Sequence, residues 1–230
     1  MFLGDYVVKN KLYIILSIIL FSVIVTYVDA VIKPDYFIKI LVKIFFFLAL
    51  PILYFIINKE EADDFKKLFV FRKEGLLKAF LLAFIVYISI VGGYFLTRGV
   101  IDYSHVTTNL VGSMGITKDK FIYVTLYLAL INSFLEEFFF RGLGFITLKK
   151  YTGRTFAYIF TSIFFAIYHA GMMIGSFNLF TYILMLIGLF IGGCLFSFIN
   201  EKSNTIYHSW FVHMFTNFAI NTVGFILFNL

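Results

Sequence analysis

The chain has 230 residues, of which 61% are hydrophobic and only 14% are charged. A soluble globular domain carries about 25% charged residues, so this chain has too little polar surface to cover a folded core in water. The formal net charge of +6 does not indicate nucleic acid binding, because most lysines and arginines lie in short connections and no nucleic-acid-binding motif occurs. The single cysteine, Cys194, excludes an internal disulfide and a cysteine-based zinc site.

Seven apolar runs, each long enough to cross a bilayer, predict an all-α, polytopic transmembrane helix bundle. The predicted spans are 12–30, 36–57, 79–97, 121–148, 156–174, 179–198 and 205–228. The first run is long and has no clear small-residue cleavage site after it, so we expect a retained helix rather than a signal peptide. We expect residues 1–230 to form a single membrane domain.

Lysines and arginines in the connections predict the orientation. With a cytoplasmic N-terminus, the cytoplasmic connections hold 12 of them and the opposite connections hold 4, namely Lys33, Arg98, Lys118 and Lys120. Cationic residues are enriched on the cytoplasmic side of membrane proteins. The N-terminus is therefore predicted to lie inside and the C-terminus outside.

The second span carries three unusual residues. Lys39 and Lys43 stand four residues apart on one face, where they can snorkel, pair with a carboxylate or line a cavity; the sequence does not choose between these. Pro51 predicts a kink. In the sixth span, Gly188 and Gly192 have the spacing of a close helix contact, with Gly193 alongside.

The connections differ in character. Residues 58–78 mix charges with phenylalanines, which fits either an amphipathic segment on the cytoplasmic membrane face or a solvated loop. Residues 98–120 are polar and are predicted to form an external loop.

The fourth span contains two adjacent carboxylates and an arginine, which are costly inside a bilayer and suggest function. Glu137 and Arg141 are four residues apart, so they share a helix face and can pair. Glu136 points about 100° away and is left free of that arginine. It is the candidate general acid or base. For Glu137 and Arg141, a structural ion network is the favoured interpretation.

Two later spans carry buried imidazoles. His169 lies in the fifth span, and His213 and Asn217 lie four apart on one face of the seventh. The alternative for each histidine is an interhelical hydrogen bond. With a rise of about 1.5 Å per residue, Glu136, His169 and His213 reach overlapping depths. We expect three helices to present Glu136, His169, His213 and Asn217 to one cavity.

Three motifs in this order resemble a known family. Glu136-Glu137-x-x-x-Arg141-Gly142, Phe165-x-x-x-His169 and His213-x-x-x-Asn217 are similar to the CPBP family of CAAX proteases and bacteriocin-processing membrane proteins, also called Abi, which includes type II CAAX prenyl endopeptidases. The resemblance covers residues 121–221. It implies a glutamate-dependent intramembrane endopeptidase without a metal or cofactor. Glu136 and His169 would activate water, His213 and Asn217 would stabilise the oxyanion, and Glu137 with Arg141 would support the site.

The predicted substrate is a peptide whose scissile bond lies close to the membrane. We expect it to enter the site from the cytoplasmic leaflet. A composition rich in Phe, Ile, Lys, Tyr and Asn hints at an AT-rich bacterial genome and a plasma membrane location, and so favours bacteriocin or pheromone precursors over prenylated CAAX substrates. A non-enzymatic immunity or scaffold role is the main alternative. A proton-coupled transporter is a third, without the inverted repeat that would support it. Zinc ligation by Glu and His remains a second mechanism, although no His-Glu-x-x-His motif is present.

Overall fold

The computed structural model describes residues 3–229, and all regular elements within that range are helical. Seven helices are long and apolar enough to cross a membrane, which confirms the predicted polytopic bundle. The spans run over Tyr6–Ile32, Tyr36–Ile57, Leu76–Thr97, Lys118–Thr152, Arg154–Met173, Leu179–Ser203 and Ile206–Leu227. Two further helices, Lys59–Lys67 and Ser104–Met114, lie in the second and third connections.

Three spans mix α-helical turns with wider π-helical turns. The first is α-helical over Leu3–Tyr27 and π-helical over Val28–Ile32, and the second comprises Tyr36–Ile44, the π turn Phe45–Ala49 and Leu50–Ile57. The fourth comprises a 3₁₀ turn at Lys118–Lys120, Phe121–Leu126, the π segment Tyr127–Asn132, Ser133–Glu136, the π segment Glu137–Thr147 and Leu148–Thr152. Since π turns are rare and are often found at functional sites, their concentration in the fourth span is notable.

The irregularity predicted at Pro51 takes the form of a π turn. Pro51 stands in the first turn of Leu50–Ile57, directly after Phe45–Ala49. Proline lacks a backbone N–H and its ring clashes with the carbonyl four residues earlier in an α-helix. A π turn at that point changes the hydrogen-bond register, so the second span continues through Pro51 without ending.

The fourth span forms the centre of the bundle. Its buried phenylalanines contact two neighbouring spans: Phe139 stacks on Phe47 with ring centroids 4.4 Å apart, and Phe140 meets Phe165 edge-on at 5.4 Å. Aromatic pairs of these geometries add to the stabilisation from burial. The packing holds this span between the second and fifth spans.

Close packing of the sixth span involves only one of the three glycines named from the sequence, Gly193. A Cβ atom placed on Gly188 or Gly192 would meet nothing within 4 Å, whereas one on Gly193 would lie 3.0 Å from Ser162 Cβ. The expectation for Gly188 and Gly192 is therefore wrong. Spacing alone indicates a small-residue face but does not say which face meets a neighbour; here Gly193 faces the fifth span.

In the second connection the structure agrees with the amphipathic alternative, and the third connection is more ordered than the predicted loop. In the second, Lys59–Lys67 is an amphipathic helix whose Phe65 stacks on Phe55 at 3.8 Å, so it packs against the bundle rather than forming a solvated loop. In the third, Asp102 accepts a hydrogen bond from the backbone N–H of Ser104 at 2.8 Å, at the start of Ser104–Met114. Hydrogen bonds from the Ser104 side chain and then from its backbone N–H lower the pKa of Asp102 below its ordinary value.

Candidate active site in the bundle core

Glu136 is the buried centre of the candidate site. It lies on the short α-helical segment Ser133–Glu136 between two π segments, and its side chain is only 1% exposed. Its Oε1 accepts hydrogen bonds from the Tyr168 hydroxyl at 2.9 Å and from the Asn132 amide. Its Oε2 has no hydrogen-bond partner. The two oxygens are therefore distinct: one is held in place, and the other is available.

The available oxygen faces two imidazoles. Oε2 of Glu136 lies 3.6 Å from Nε2 of His169 and 3.5 Å from Nε2 of His213. The fifth span contributes the ring of His169 and the seventh span the ring of His213. Three residues that are 33 and 44 positions apart in sequence thus converge, as the estimated helix depths predicted.

A hydrogen bond to the backbone shows that Nδ1 of His169 carries a proton. Its Nδ1 is 2.8 Å from the carbonyl oxygen of Phe165, one turn earlier. A carbonyl only accepts hydrogen bonds, so Nδ1 carries the proton and the neutral ring has an Nε2 lone pair directed at Glu136. At 15% exposure, the His169 side chain is also the more accessible of the two imidazoles.

His213 is held by the second glutamate. Its Nδ1 lies 2.9 Å from Oε1 of Glu137, and its ring stacks on Phe196 with centroids 4.5 Å apart. A carboxylate accepts hydrogen bonds, so Nδ1 carries a proton and Glu137 orients the imidazole ring.

Glu137 and Arg141 form the predicted pair. Arg141 Nη1 is 3.4 Å from Glu137 Oε1, and Arg141 Nη2 donates to the carbonyl oxygen of Gly193 at 3.1 Å. The guanidinium also lies over the ring of Phe165 at 4.4 Å. The pair therefore links the fourth span to the fifth and sixth, and through Glu137 it supports His213.

Asn217 has a different immediate partner. Its Nδ2 donates to the carbonyl oxygen of Leu128 at 2.9 Å, in the π segment Tyr127–Asn132 of the fourth span. The side chain is half-buried. The structure thus brings Glu136, His169 and His213 together and places Asn217 one helical turn from His213, without a direct contact between Asn217 and Glu136.

The second span contributes to the site, which the sequence did not predict. Lys43 donates to Asn132 Oδ1 at 3.3 Å and lies 5.0 Å from the ring centre of Tyr168. Lys39 instead pairs with Asp29 at 3.5 Å. The four-residue spacing of the lysines signalled a shared face, but only the packing of the spans shows their separate partners.

The arrangement of possible metal ligands is as follows. Within the part of the chain that the structure describes, no three His, Cys, Asp or Glu side chains are arranged to hold a metal ion. In the cluster around Glu136, both imidazoles direct Nε2 toward the same carboxylate oxygen.

One comparison with known proteins gives a match. A family model described as type II CAAX prenyl endopeptidase Rce1-like matches residues 118–219, from the start of the fourth span into the seventh. The matched segment includes all six predicted site residues: Glu136, Glu137, Arg141, His169, His213 and Asn217. The match confirms the resemblance predicted from the three motifs. No curated protein and no solved structure matches the chain.

These findings establish the broad class. Residues 118–219 are similar to the Rce1-like type II CAAX prenyl endopeptidases, which indicates a protease, and the seven apolar helices indicate an integral membrane protein. The first three spans lie outside the matched segment.

Proposed function

With an Rce1-like domain in its last four spans, we propose that the protein is a metal-independent intramembrane endopeptidase in which Glu136 and His169 activate the attacking water. One observation carries the proposal: Glu136 Oε2 is buried and unpartnered, and it lies between two imidazole Nε2 atoms at 3.5 and 3.6 Å. Asp29 and Glu137 also carry a buried carboxylate oxygen without a hydrogen-bond partner, so it is the position of Glu136 Oε2 between two imidazoles that supports the proposal.

The first step is base catalysis. A water molecule donates one hydrogen bond to Glu136 Oε2 and the other to His169 Nε2, which accepts because Nδ1–H is engaged by Phe165. As the water oxygen attacks the peptide carbonyl carbon, Glu136 takes its proton. The protonated carboxyl then donates that proton to the leaving amine. General base catalysis of this kind contributes about 10²- to 10⁴-fold.

The second role is stabilisation of the oxyanion. When His213 is protonated, its Nε2–H can donate to the tetrahedral oxygen while its Nδ1–H remains on Glu137. Asn217 uses one amide hydrogen for Leu128, and its second amide hydrogen is available for the same oxygen. Loss of one such donor costs about 10²- to 10³-fold in related chemistry.

The proposed substrate is a peptide whose scissile bond lies close to the membrane. A CAAX-type peptide and an unmodified bacteriocin- or pheromone-type precursor are the two candidates, and the residues around Glu136 do not include a group that distinguishes them. The proposed setting is a bacterial plasma membrane, with cytoplasmic entry and a cytoplasmic N-terminus.

The test is hydrolysis in proteoliposomes. Farnesylated CAAX peptides and unprenylated membrane peptides are incubated with the full chain, and the products are identified by mass spectrometry. We expect Glu136→Gln and His169→Ala to lower the hydrolysis rate about 10²- to 10⁴-fold. Glu74→Gln and His105→Ala are matched controls, because both side chains are exposed and lie outside the site.

Two results would contradict the proposal. Cleavage that persists in Glu136→Gln would contradict base catalysis by this glutamate. Cleavage that is abolished by a chelator would favour a metal-dependent mechanism. A biological phenotype that is unchanged by Glu136→Gln would favour the immunity or scaffold role.

A further inference from the structure

Most buried charged side chains in the bundle form ion pairs, and Glu136 and Lys43 are the exceptions among the described residues. The buried charged side chains among the described residues are Asp29, Lys39, Lys43, Glu61, Glu136, Glu137 and Arg141. Glu61 pairs with Lys150 at 2.8 Å, Asp29 with Lys39 at 3.5 Å, and Glu137 with Arg141 at 3.4 Å. The pairing leaves one anion, Glu136, and one cation, Lys43.

A single amide group joins this anion to this cation. Lys43 Nζ donates to Asn132 Oδ1 at 3.3 Å, and Asn132 Nδ2 donates to Oε1 of Glu136. The amide dipole is oriented with its oxygen toward the cation and its nitrogen toward the carboxylate. Both hydrogen bonds are buried, and hydrogen bonds to charged groups are stronger than neutral ones.

Tyr168 provides a second connection between the same two groups. Its ring lies 5.0 Å from Lys43 Nζ, and its hydroxyl donates to Glu136 Oε1 at 2.9 Å. A cation near an aromatic face is attracted to it. Lys43 is thus held by Asn132 and Tyr168, the two residues that hold Oε1.

Among the other groups facing Glu136, Arg141 is the one that carries a fixed positive charge, and it is paired with Glu137. From the fifth and seventh spans His169 and His213 face Glu136, and their Nδ1 atoms are engaged by Phe165 and Glu137. Tyr36 and Tyr127 also lie within electrostatic range of Glu136. On its own span, Glu137 is an anion already paired with Arg141.

We propose that Lys43 is a positioning residue for the reaction: acting through Asn132, it keeps Glu136 ionised and holds Oε1 so that Oε2 faces His169. Its catalytic consequence rests on the proposed function, while the effect on Glu136 does not. The proposal also gives the second span, which lies outside the matched segment 118–219, a part in the site.

The test measures the protonation of Glu136 directly. Infrared spectra of the full chain in lipid are recorded across pH, and the protonated-carboxyl band of Glu136 is isolated by subtracting spectra of Glu136→Gln in the same background. In Lys43→Gln we expect this band to appear at a pH at least about one unit higher than in the wild type, since an opposite charge nearby has an effect of this size. Lys43→Arg should restore the wild-type pH.

A matched control separates this effect from the loss of a buried lysine. The double variant Asp29→Asn/Lys39→Gln removes the neighbouring pair, one turn away on the second span, and should leave the Glu136 band where it is in the wild type. Asn132→Leu removes the bridging amide and should move the band in the same direction as Lys43→Gln. It also serves as the second variant if Lys43→Gln does not fold.

Hydrolysis provides an independent readout. On the acid side of the rate profile, Lys43→Gln should lower kcat at least about tenfold with little change in KM, and raising the pH should restore much of the rate. A purely structural role would lower the rate at all pH values. An unchanged Glu136 band in Lys43→Gln would overturn the proposal, whatever the band does in Asn132→Leu, because Asn132 also donates directly to Glu136. A wild type that hydrolyses no peptide would contradict the proposed function while the infrared result still decides the role of Lys43.

Discussion

The third and fourth spans show how the bundle separates lipid contact from polar chemistry. In the most apolar window of the third span only 11% of residues are buried and the mean hydropathy is 2.3; for the fourth span the values are 56% and 1.3. In a water-soluble protein, greater burial accompanies greater hydrophobicity. Here the relation is reversed, because lipid favours apolar side chains outside and the protein interior is where charged groups can be paired.

The third span still has one side that meets protein. Ala79 and Ala83 are buried, and Phe80 lies 6.1 Å from Phe211 of the seventh span, measured between ring centroids. Leu81 and Phe84 on other faces are more than half exposed to the surroundings. Small residues at the protein contact and large apolar ones toward lipid fit the packing of membrane helices.

The largest expected difference in stability between variants of the two spans comes from substituting their arginines. Arg141→Met leaves Glu137 buried beside His213 without its cation, and breaking such a buried pair costs about 3–5 kcal/mol. Arg98→Met, at the exposed end of the third span, should change the free energy of unfolding by less than about 0.5 kcal/mol. Equilibrium unfolding in mixed micelles measures both.

The double variant Glu137→Gln/Arg141→Met tests the reason for that loss. Because it removes both charges, it should be more stable than Arg141→Met alone. Equal unfolding free energies for Arg141→Met and Arg98→Met would contradict the expectation that the buried ion pair of the fourth span contributes more to stability than the exposed arginine.

A smaller effect should separate two adjacent glycines of the sixth span. A Cβ on Gly193 would lie 3.0 Å from Ser162 Cβ and 3.1 Å from its Cα, so Gly193→Ala should cost about 1–3 kcal/mol. Gly192→Ala meets open space and should be neutral or stabilising by up to about 1 kcal/mol, as alanine is the better helix former. The same unfolding assay applies, and a larger loss at Gly192 would contradict the assigned contact face.

The smallest effect is expected on the lipid side of the third span. Leu81→Ala removes a side chain that is 52% exposed, and we expect a change below about 0.5 kcal/mol. Ala83→Leu enlarges a fully buried position two residues away and should cost about 1–3 kcal/mol. If the two variants lose the same stability, the third span is not lipid-facing along Leu81.

Much of the bundle could be predicted from local sequence. Long apolar runs locate spans because the bilayer thickness sets their length. The Glu137–Arg141 pair followed from helix spacing, and the convergence of Glu136, His169 and His213 followed from their depths. These predictions use only distances along a helix, which the sequence provides directly.

Distances along a helix do not predict which side chains of different spans meet. Lys39 and Lys43 share a face, yet one pairs with Asp29 and the other with Asn132. Choosing between these partners requires the relative rotation of three helices, and the π turns in the first, second and fourth spans change that rotation. The contact through Gly193 rather than Gly192 was missed for the same reason.

The Asp29–Lys39 pair bears on how the chain enters the membrane. A single charge at the centre of a membrane helix costs roughly 2.5–3.5 kcal/mol on insertion scales. Asp29 lies near the end of the first span and Lys39 in the first turn after the short connection to the second, so each is placed well away from that centre. A helical hairpin of these two spans would carry the two charges into the membrane as one pair rather than singly.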